Sequence, residues 1–513
     1  MPGDRRAPAP DRHGLSRPDP VEYPAYVAQS FLWYDLETFG RDPRWDRIAQ
    51  FAAIRTDSDL KEVEDPVVFY GRISPDYLPD PEACMITGIT PRTTADESGL
   101  VEAELARAIN GIVSAPGTCA VGYNSLRFDD EFLRNLFYRN FIDPYRREYA
   151  DGNSRWDVLP LVRLAHDLRP EGVEWIRDDQ GKPVFKLDQL TVANGIEHGD
   201  AHDAPADVRA TIAVARLIRE KQPRLFEYYL TLRRKDVVRG MLNLERPTPV
   251  LFTDAVLTRP GGCTSAVLPL TVHPDNPNQI IAFDLREDPA PLWQLSVEEI
   301  RRLVFTSREE LAGEARVPLV GIQVNRAPAV SPLSTLTTDR ATVLGIDPDL
   351  AAERAGMIAS RDDLPGRIRS VYKRDESGDS RREYADPDLG IYSGGFFGDA
   401  DRRAFDRIHA SDPKELAGNP PDFADSRGPE MLRRYLGRNY PDALGPEEYQ
   451  RWLSHCARRL LAPEYGNALD YGRFRKKVNN LMARPDIPPR NRQVLKDLQD
   501  YAAWLDRNVL SGT

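Results

Sequence analysis

Cysteine and histidine are scarce in this 513-residue chain, which holds four of the first and seven of the second. The cysteines, Cys84, Cys119, Cys263 and Cys456, stand far apart and form no C-x-x-C pair. That spacing excludes a disulfide scaffold and the usual thiolate zinc site, and it fits a reducing cytoplasm. No run reaches the ~18 apolar residues that a membrane helix needs. The first 29 residues are rich in Pro, Arg and Asp and lack an apolar stretch. They are not a secretory signal and read as a disordered arm. A surplus of basic residues is also missing: 69 Lys and Arg against 80 Asp and Glu leave a net charge of −11. Nucleic acid is not excluded by that total, because phosphates respond to cations gathered on one surface.

What remains is enough for a large core. Hydrophobic residues make up 41% of the chain, and this length predicts about two to four domains. The segments "FLWYDLE", "IAQFAAIRT", "VVFYGRI" and "TCAVGYN" read as strands. "LVEAELARAINGIV", "DDEFLRNLFYRNF" and "DAPADVRATIAVARLIREK" carry helical spacing, with Asp203 as N-cap of the last and Pro205 in its first turn. This is an α/β pattern with a mixed sheet, ending near residue 220. From 245 to 330, short apolar runs broken by "RPGGCTS" and "HPDNPNQ" predict a β-rich region with a few helices such as "SVEEIRRLVF". Residues 373–388 are polar and turn-rich, a linker. Helical segments follow, and no internal repeat is present.

The chemistry begins with "FLWYDLETFG", residues 31–40. Residues i and i+2 of a strand point the same way, so Asp35 and Glu37 project together. Two carboxylates in a partly dry place repel unless a cation lies between them, and hard oxygen donors suit Mg²⁺ or Mn²⁺. The pattern D-x-E alone is weak in so acidic a chain. Asp80–Pro81–Glu82 repeats it in a Pro-rich loop and is assigned nothing. Further acids strengthen the first pair. Asp129 lies where an apolar strand turns into a helix, and Asp207 lies in the first turn of the strong helix. Asp130 reads as a solvated first-turn residue favoured by the helix dipole. His198 and His202 compete as a group able to take a proton at neutral pH. His202 is preferred, because it directly precedes the helix bearing Asp207.

These motifs, "DLETFG", "GYNSLRFDDEF" and "HDAPADV", resemble in order and spacing the three exonuclease motifs of the DEDD superfamily, in its His-bearing subclass. The wider text, "RIAQFAAIRTD", "ITGITP", "NSRWD", "LRPEGVEW", "LTVANGIEH", "QPRLFEYY" and "GGFFGDADR", is similar to the bacterial exonuclease I family. The resemblance implies a ribonuclease-H-like exonuclease domain over 30–221, an SH3-like β-rich domain over 222–372, the 373–388 linker and an α-helical domain over 389–513. It implies a C-shaped clamp and 3′→5′ digestion of single-stranded DNA to 5′-mononucleotides, in DNA repair and recombination. Asp35, Glu37, Asp129 and Asp207 would hold two Mg²⁺ ions, roughly 3.5–4 Å apart, and His202 would be the general base.

DNA contacts are expected from Glu37, from aromatic residues Phe39, Tyr145, Tyr149 and Phe185, and from Arg134, Arg163, Arg169, Lys186 and Lys235. Asn325 matches a DNA-contacting position of the family. Lys186 stands where the family commonly has Arg, keeping the charge but losing the bidentate fork. The basic run "GRFRKKV", residues 472–478, reads as a solvated helix face. The family also binds the acidic, apolar C-terminal tail of single-strand DNA-binding protein, so that tail is an expected partner of a monomer. Two other readings stand beside this one: a related exonuclease acting on RNA, and an inactive single-strand binding module.

Overall fold

The computed structural model describes residues 30–197, 204–373, 386–466 and 468–511. Its first sheet holds β1 (Ser30–Thr38), β2 (Ile48–Thr56), β3 (Val67–Tyr70), β4 (Thr118–Gly122) and β5 (Ser154–Asp157), in the order β3-β2-β1-β4-β5. β1 pairs antiparallel with β2 and parallel with β4, and β4 pairs parallel with β5, so the sheet is mixed as expected.

Both faces are covered, which explains the near-continuous apolar text of β1 and β2. Phe31, Trp33, Ala52, Ile54 and Val121 pack with helices Val158–Leu168 and Ala204–Lys221. Leu32, Tyr34, Leu36, Phe51 and Ala120 point to the opposite side, onto helices Glu102–Val113 and Asp129–Arg139. Asp35 and Glu37 therefore continue the Phe31–Trp33 row toward helix Ala204–Lys221.

A short hairpin, β6 (Ile176–Arg177) with β7 (Pro183–Val184), precedes the second sheet. That sheet is antiparallel throughout, with β8 (Val250–Thr253), β9 (Thr264–His273), β10 (Asn276–Asp284), β11 (Leu319–Gln323) and β12 (Ala329–Pro332) in the order β11-β10-β9-β8-β12. One continuous apolar cluster joins it to the first sheet. Helix Pro223–Thr231 lies in that junction: Phe226 and Tyr229 sit 5.2 and 5.4 Å from Trp156, ring to ring. The helix also reaches the second region: the Tyr228 hydroxyl donates to Val330 O at 2.8 Å and the Tyr229 hydroxyl to Ala327 O at 2.9 Å. Helices Thr338–Leu344, Pro348–Ala359 and Leu364–Tyr372 close the second region, where the sequence predicted mainly strands.

The C-terminal region is helical and seals two faces of the first domain. Phe39, Trp45 and Tyr77 share a core with Trp452, Phe474 and Leu498. Tyr138 and Phe141 share another with Phe405 and Tyr435. The expected linker ends too late at 388. Asp386 and Asp388 are buried beside Arg434, Arg438 and Arg459, so 386–388 belong to the packed C-terminal region.

Candidate active site

Pairing between β1 and β4 stops at Trp33–Val121. Beyond that point the β4-facing edge of β1 is open, and the Leu36 N–H needs an acceptor. Asp129, the first residue of its helix, supplies one: its Oδ1 accepts from Leu36 N at 3.2 Å. On the other edge, Asp35 lies opposite Ala52 and Glu37 opposite Gln50, and the register slips between Glu37 and Thr38. Such irregularities bend a strand and re-aim its side chains.

Gln50 ties the third element to this place. Its Oε1 accepts from Ala204 N at 3.3 Å, and its Nε2 donates to the Tyr70 hydroxyl at 2.9 Å. The start of helix Ala204–Lys221 is thereby fixed over β1 and β2, with Asp207 in its first turn. Oxygen atoms of Asp35, Glu37 and Asp207 lie within 4.8 Å of one another. Gln50 was missed as a positioning residue, although a polar side chain within the apolar run Ile48–Ile54 was a visible signal. Asp157 was missed too. Its carboxylate accepts from Asn124 N (2.8 Å), Leu126 N (3.2 Å) and Leu159 N (3.0 Å), pinning the turn that delivers Asp129. Asn124 in that turn has φ +64°, a left-handed conformation that Asn tolerates.

The electrostatics are those of an acid cluster. Burial first, then the charge of Asp207, holds the Asp35 carboxyl well above the usual carboxylate range. Burial and then Asp35 do the same to Asp129. Burial also pushes Asp157 up to about 6, against three backbone N–H donors. Carboxylate oxygens from separate chain segments converge where Asp207 raises the cost of ionising Asp35, and Asp35 that of Asp129, a donor set suited to hard divalent cations.

His198 and His202 fall outside the described residues, as does the expected cap Asp203. Of the expected DNA contacts, Lys186 is exposed at the start of helix Leu187–Ala193. Phe185 beside it is half-buried and held edge-on by His166 (5.3 Å) and Trp175 (6.5 Å), with the Arg163 guanidinium 5.9 Å from its ring. Tyr149 is 70% exposed. Tyr145 lies under the Arg134 guanidinium and edge-on to Phe396. Lys235 opens helix Lys235–Met241, and its ammonium is shifted down by burial and by Arg239. Asn325 keeps a buried Oδ1 without a hydrogen-bond partner.

Three expectations are corrected. Arg134 is not available to phosphate: it is buried, with Nε and Nη2 on Glu148 (2.7 and 3.0 Å) and Nη1 on Glu131 (2.8 Å). Phe39 cannot stack on a base, because it lies in the core shared with the C-terminal helices. Asp130 is not solvated: it is fully buried between Arg147 and Arg155 and accepts from the Tyr34 hydroxyl at 2.7 Å. Arg169 lies at the far end of helix Val158–Leu168, roughly 18 Å along its axis from Asp157, and donates to Thr335 O at 3.0 Å.

Similarity to known proteins extends over nearly the whole chain. Family models described as "Exonuclease", "Exonuclease I SH3-like domain" and "Exonuclease I C-terminal domain" match residues 32–215, 233–374 and 385–505. Exodeoxyribonuclease I of Escherichia coli is 40% identical over 436 residues, 85% of this chain and 90% of that protein. The solved exonuclease I of Methylocaldum szegediense aligns at 43% identity and a TM-score of 0.87, covering 93% of this chain and 99% of the other. Escherichia coli exonuclease I in complex with a dA16 oligonucleotide aligns at 38% identity and a TM-score of 0.87, covering 93% and 100%. Other structures of exonuclease I are described as a zinc-bound complex with single-stranded DNA and as a complex with SSB and an inhibitor.

Proposed function

The chain belongs to the exonuclease I family, and from that premise we propose that it is a 3′→5′ exodeoxyribonuclease that digests single-stranded DNA to 5′-mononucleotides. The observation that carries the reading is the meeting of Asp35, Glu37 and Asp207 within 4.8 Å, with Asp129 anchored on the Leu36 N–H of the same strand.

The enzyme depends on divalent metal, and the donor set fits it. All four groups are carboxylates, and Asp35 and Asp129 are costly to ionise without a cation. We take Mg²⁺ as the working ion, two per site. When bound there, such ions activate water and stabilise the leaving 3′-oxygen. The protein's share is positional. β1 presents Asp35 and Glu37, Gln50 fixes the helix that carries Asp207, and Asp157 holds the turn before Asp129. His202 is the proposed general base toward the attacking water. Lys186, Lys235, Arg163 and Asn325 are the proposed polar contacts to the strand, and Phe185, Tyr145 and Tyr149 the proposed stacking surfaces.

Purified protein with Mg²⁺ should shorten 3′-ended single-stranded DNA to mononucleotides, spare duplex DNA and RNA, and stop in EDTA. Comparable turnover of RNA would favour the related RNA exonuclease instead. His202→Ala should slow digestion far more than His198→Ala does; the reverse ranking would move the base to His198.

A second surface supports the protein partner. A pocket of about 420 Å³ is lined by Leu168, Arg169, Arg224, Leu225, Tyr228 and Thr335. Its cations beside apolar and aromatic walls match an acidic, apolar tail such as that of single-strand DNA-binding protein. A fluorescent tail peptide should bind the wild type and lose affinity to Arg169→Glu; equal binding would exclude this pocket. No described helix is long and apolar enough to cross a membrane. We take the protein to act as a monomer, in the bacterial cytoplasm, a reducing compartment with which the four buried free cysteines accord.

A further inference from the structure

A cleft of about 600 Å³ is lined by residues of the first domain and of the C-terminal region, a few residues along the chain from the acid cluster. One wall is the turn that follows β1, bearing Arg41 and Arg44. A second is helix Asp129–Arg139, through Glu131 and Asn135, and the third is Tyr392 and Tyr465. Arg41 stands four residues beyond Glu37, and Glu131 two beyond Asp129. The deepest of these residues, Asn135, is roughly 9 Å along the helix from Asp129.

The walls are rigid and their acids are already matched. Asp42 N donates to Asp46 Oδ2 at 2.8 Å, and Asp46 N to Asp42 O at 2.7 Å, closing the turn. The Tyr465 ring stacks on Trp45 at 5.6 Å, and its hydroxyl donates to Asp42. Glu131 accepts from Arg134, from Arg326 (2.7 Å) and from the Tyr392 hydroxyl. Two groups remain unmatched. Arg41 is exposed and makes no hydrogen bond or ion pair with any described residue. Asn135 is fully buried, and while its Nδ2 donates to Glu131 O at 2.9 Å, its Oδ1 has no partner. A buried amide oxygen without a donor is costly, and such groups mark where a ligand or water completes the structure.

We propose that this cleft holds the released deoxynucleoside 5′-monophosphate, an inference that rests on the exonuclease reading above. Its size lies in the range of small-molecule sites. A phosphate dianion suits Arg41 and Arg44, a base has the Tyr392 and Tyr465 rings to stack on, and a sugar hydroxyl or base N–H can satisfy Asn135 Oδ1. The position suits a product site: within a few residues of Glu37 and Asp129 along the chain, yet supplied with its own cations.

The test titrates full-length protein with 5′-dTMP by calorimetry in EDTA, where divalent ions cannot hold the phosphate at the acid cluster. Saturable one-to-one binding is expected. It should be about tenfold or more weaker in Arg41→Glu, and about tenfold or more weaker for thymidine, which lacks the phosphate. Asp35→Asn should leave it unchanged. Arg41 is exposed, and an unchanged melting temperature will show that its variant is folded. No saturable binding, equal binding by Arg41→Glu, or loss in Asp35→Asn instead would each overturn the proposal. In Mg²⁺, added dTMP should slow DNA digestion, and Arg41→Glu should relieve that inhibition. A protein that binds dTMP in EDTA but digests no DNA sinks the exonuclease reading; one that digests DNA but binds no dTMP sinks only this inference.

Discussion

Two carboxylate clusters line the first domain, and burial has opposite outcomes in them: Asp76 and Asp388 are held down, Asp35 and Asp129 pushed up. In the knot that joins the first domain to the C-terminal helices, Asp76 meets Arg438 at 3.0 Å and Arg459 at 3.7 Å. Asp388 meets Arg438 and Arg434, and Asp386 meets Arg434 and Arg459. Burial alone would raise these acids, yet the arginines overcome it and hold Asp76 and Asp388 far below the usual carboxylate range. At Asp35 and Asp129 burial acts the same way, but the largest neighbouring charges are carboxylates, and both groups are pushed up. Burial is shared, so the partner decides the outcome. A knot whose counterions are built into the chain is structural. A cluster whose neighbours raise the cost of charge is arranged for a cation that arrives from outside.

The comparison breaks most sharply if one member of each group is removed. Asp207→Ala should lower digestion of single-stranded DNA on the order of a thousandfold or more, about 4 kcal/mol of transition-state stabilisation. Strand binding, measured by fluorescence anisotropy in EDTA, should persist. Near-normal rates would remove Asp207 from the ligand set. Arg438→Ala should do the opposite. It takes the nearest cation from Asp76 and one from Asp388, leaving Arg459 and Arg434 to hold them, and loss of one partner from such a buried network costs about 3–5 kcal/mol. Urea denaturation should record that loss, while the folded fraction retains its turnover per molecule.

Acid-base linkage sharpens the contrast. The folded-state carboxyl of Asp129 titrates above its unfolded value. Its neutral form is compatible with the fold, so no penalty exists below about pH 4, where the unfolded chain is protonated as well. As pH rises past that point the unfolded state ionises first, and the metal-free protein loses stability until the folded group ionises too. Asp129→Asn cannot ionise. In EDTA at pH 7 it should therefore be more stable than wild type by about 1 kcal/mol or more, since each tenfold weakening of an acid on folding costs about 1.4 kcal/mol once the group must ionise. Mg²⁺ should stabilise the wild type and reverse the order. Asp76 and Asp388 carry the other sign. Their contribution is complete above about pH 4 and fades only in stronger acid, so it does not blur the test. A less stable Asp129→Asn protein in EDTA would mean that its carboxylate is already compensated.

How much of this was legible in the chain depended on distance along it. Period-two alternation in "FLWYDLE" assigned Asp35 and Glu37 to one face, and the strand-helix junction at Asp129 and the helix start at Asp207 carried enough local signal to be grouped with them. The run "SVEEIRRLVF" likewise marked the helix Val297–Phe305. Asp130 failed for a physical reason. In "FDDEF" it is indistinguishable from a solvated first-turn acid, because its partners Arg147 and Arg155 lie on later elements that only the fold brings back. Arg134 failed similarly, through Glu148. Phe39 had no local mark of burial, since the surface that covers it comes from helices far along the chain, among them those of Trp452 and Phe474. Charge and aromaticity announce themselves in sequence; whether a partner consumes them does not.

Lys186 offers the finest adjustment, because it is a cation that the fold leaves exposed. It stands at the head of helix Leu187–Ala193, beside a Phe185 ring already fixed by His166 and Trp175. An ammonium there meets a phosphate as a point charge, whereas a guanidinium presents two parallel donors to two phosphate oxygens. Lys186→Arg should therefore tighten single-strand binding by about threefold to fivefold, under 1 kcal/mol, with kcat nearly unchanged because the site lies outside the acid cluster. The salt dependence of binding should stay the same, since the charge count is conserved. A lower KM at constant kcat and constant salt slope would identify Lys186 as a direct phosphate contact. A change in salt slope would show that the substitution rearranged other cations, and no change in KM would place the strand elsewhere than along the Phe185–Lys186 edge.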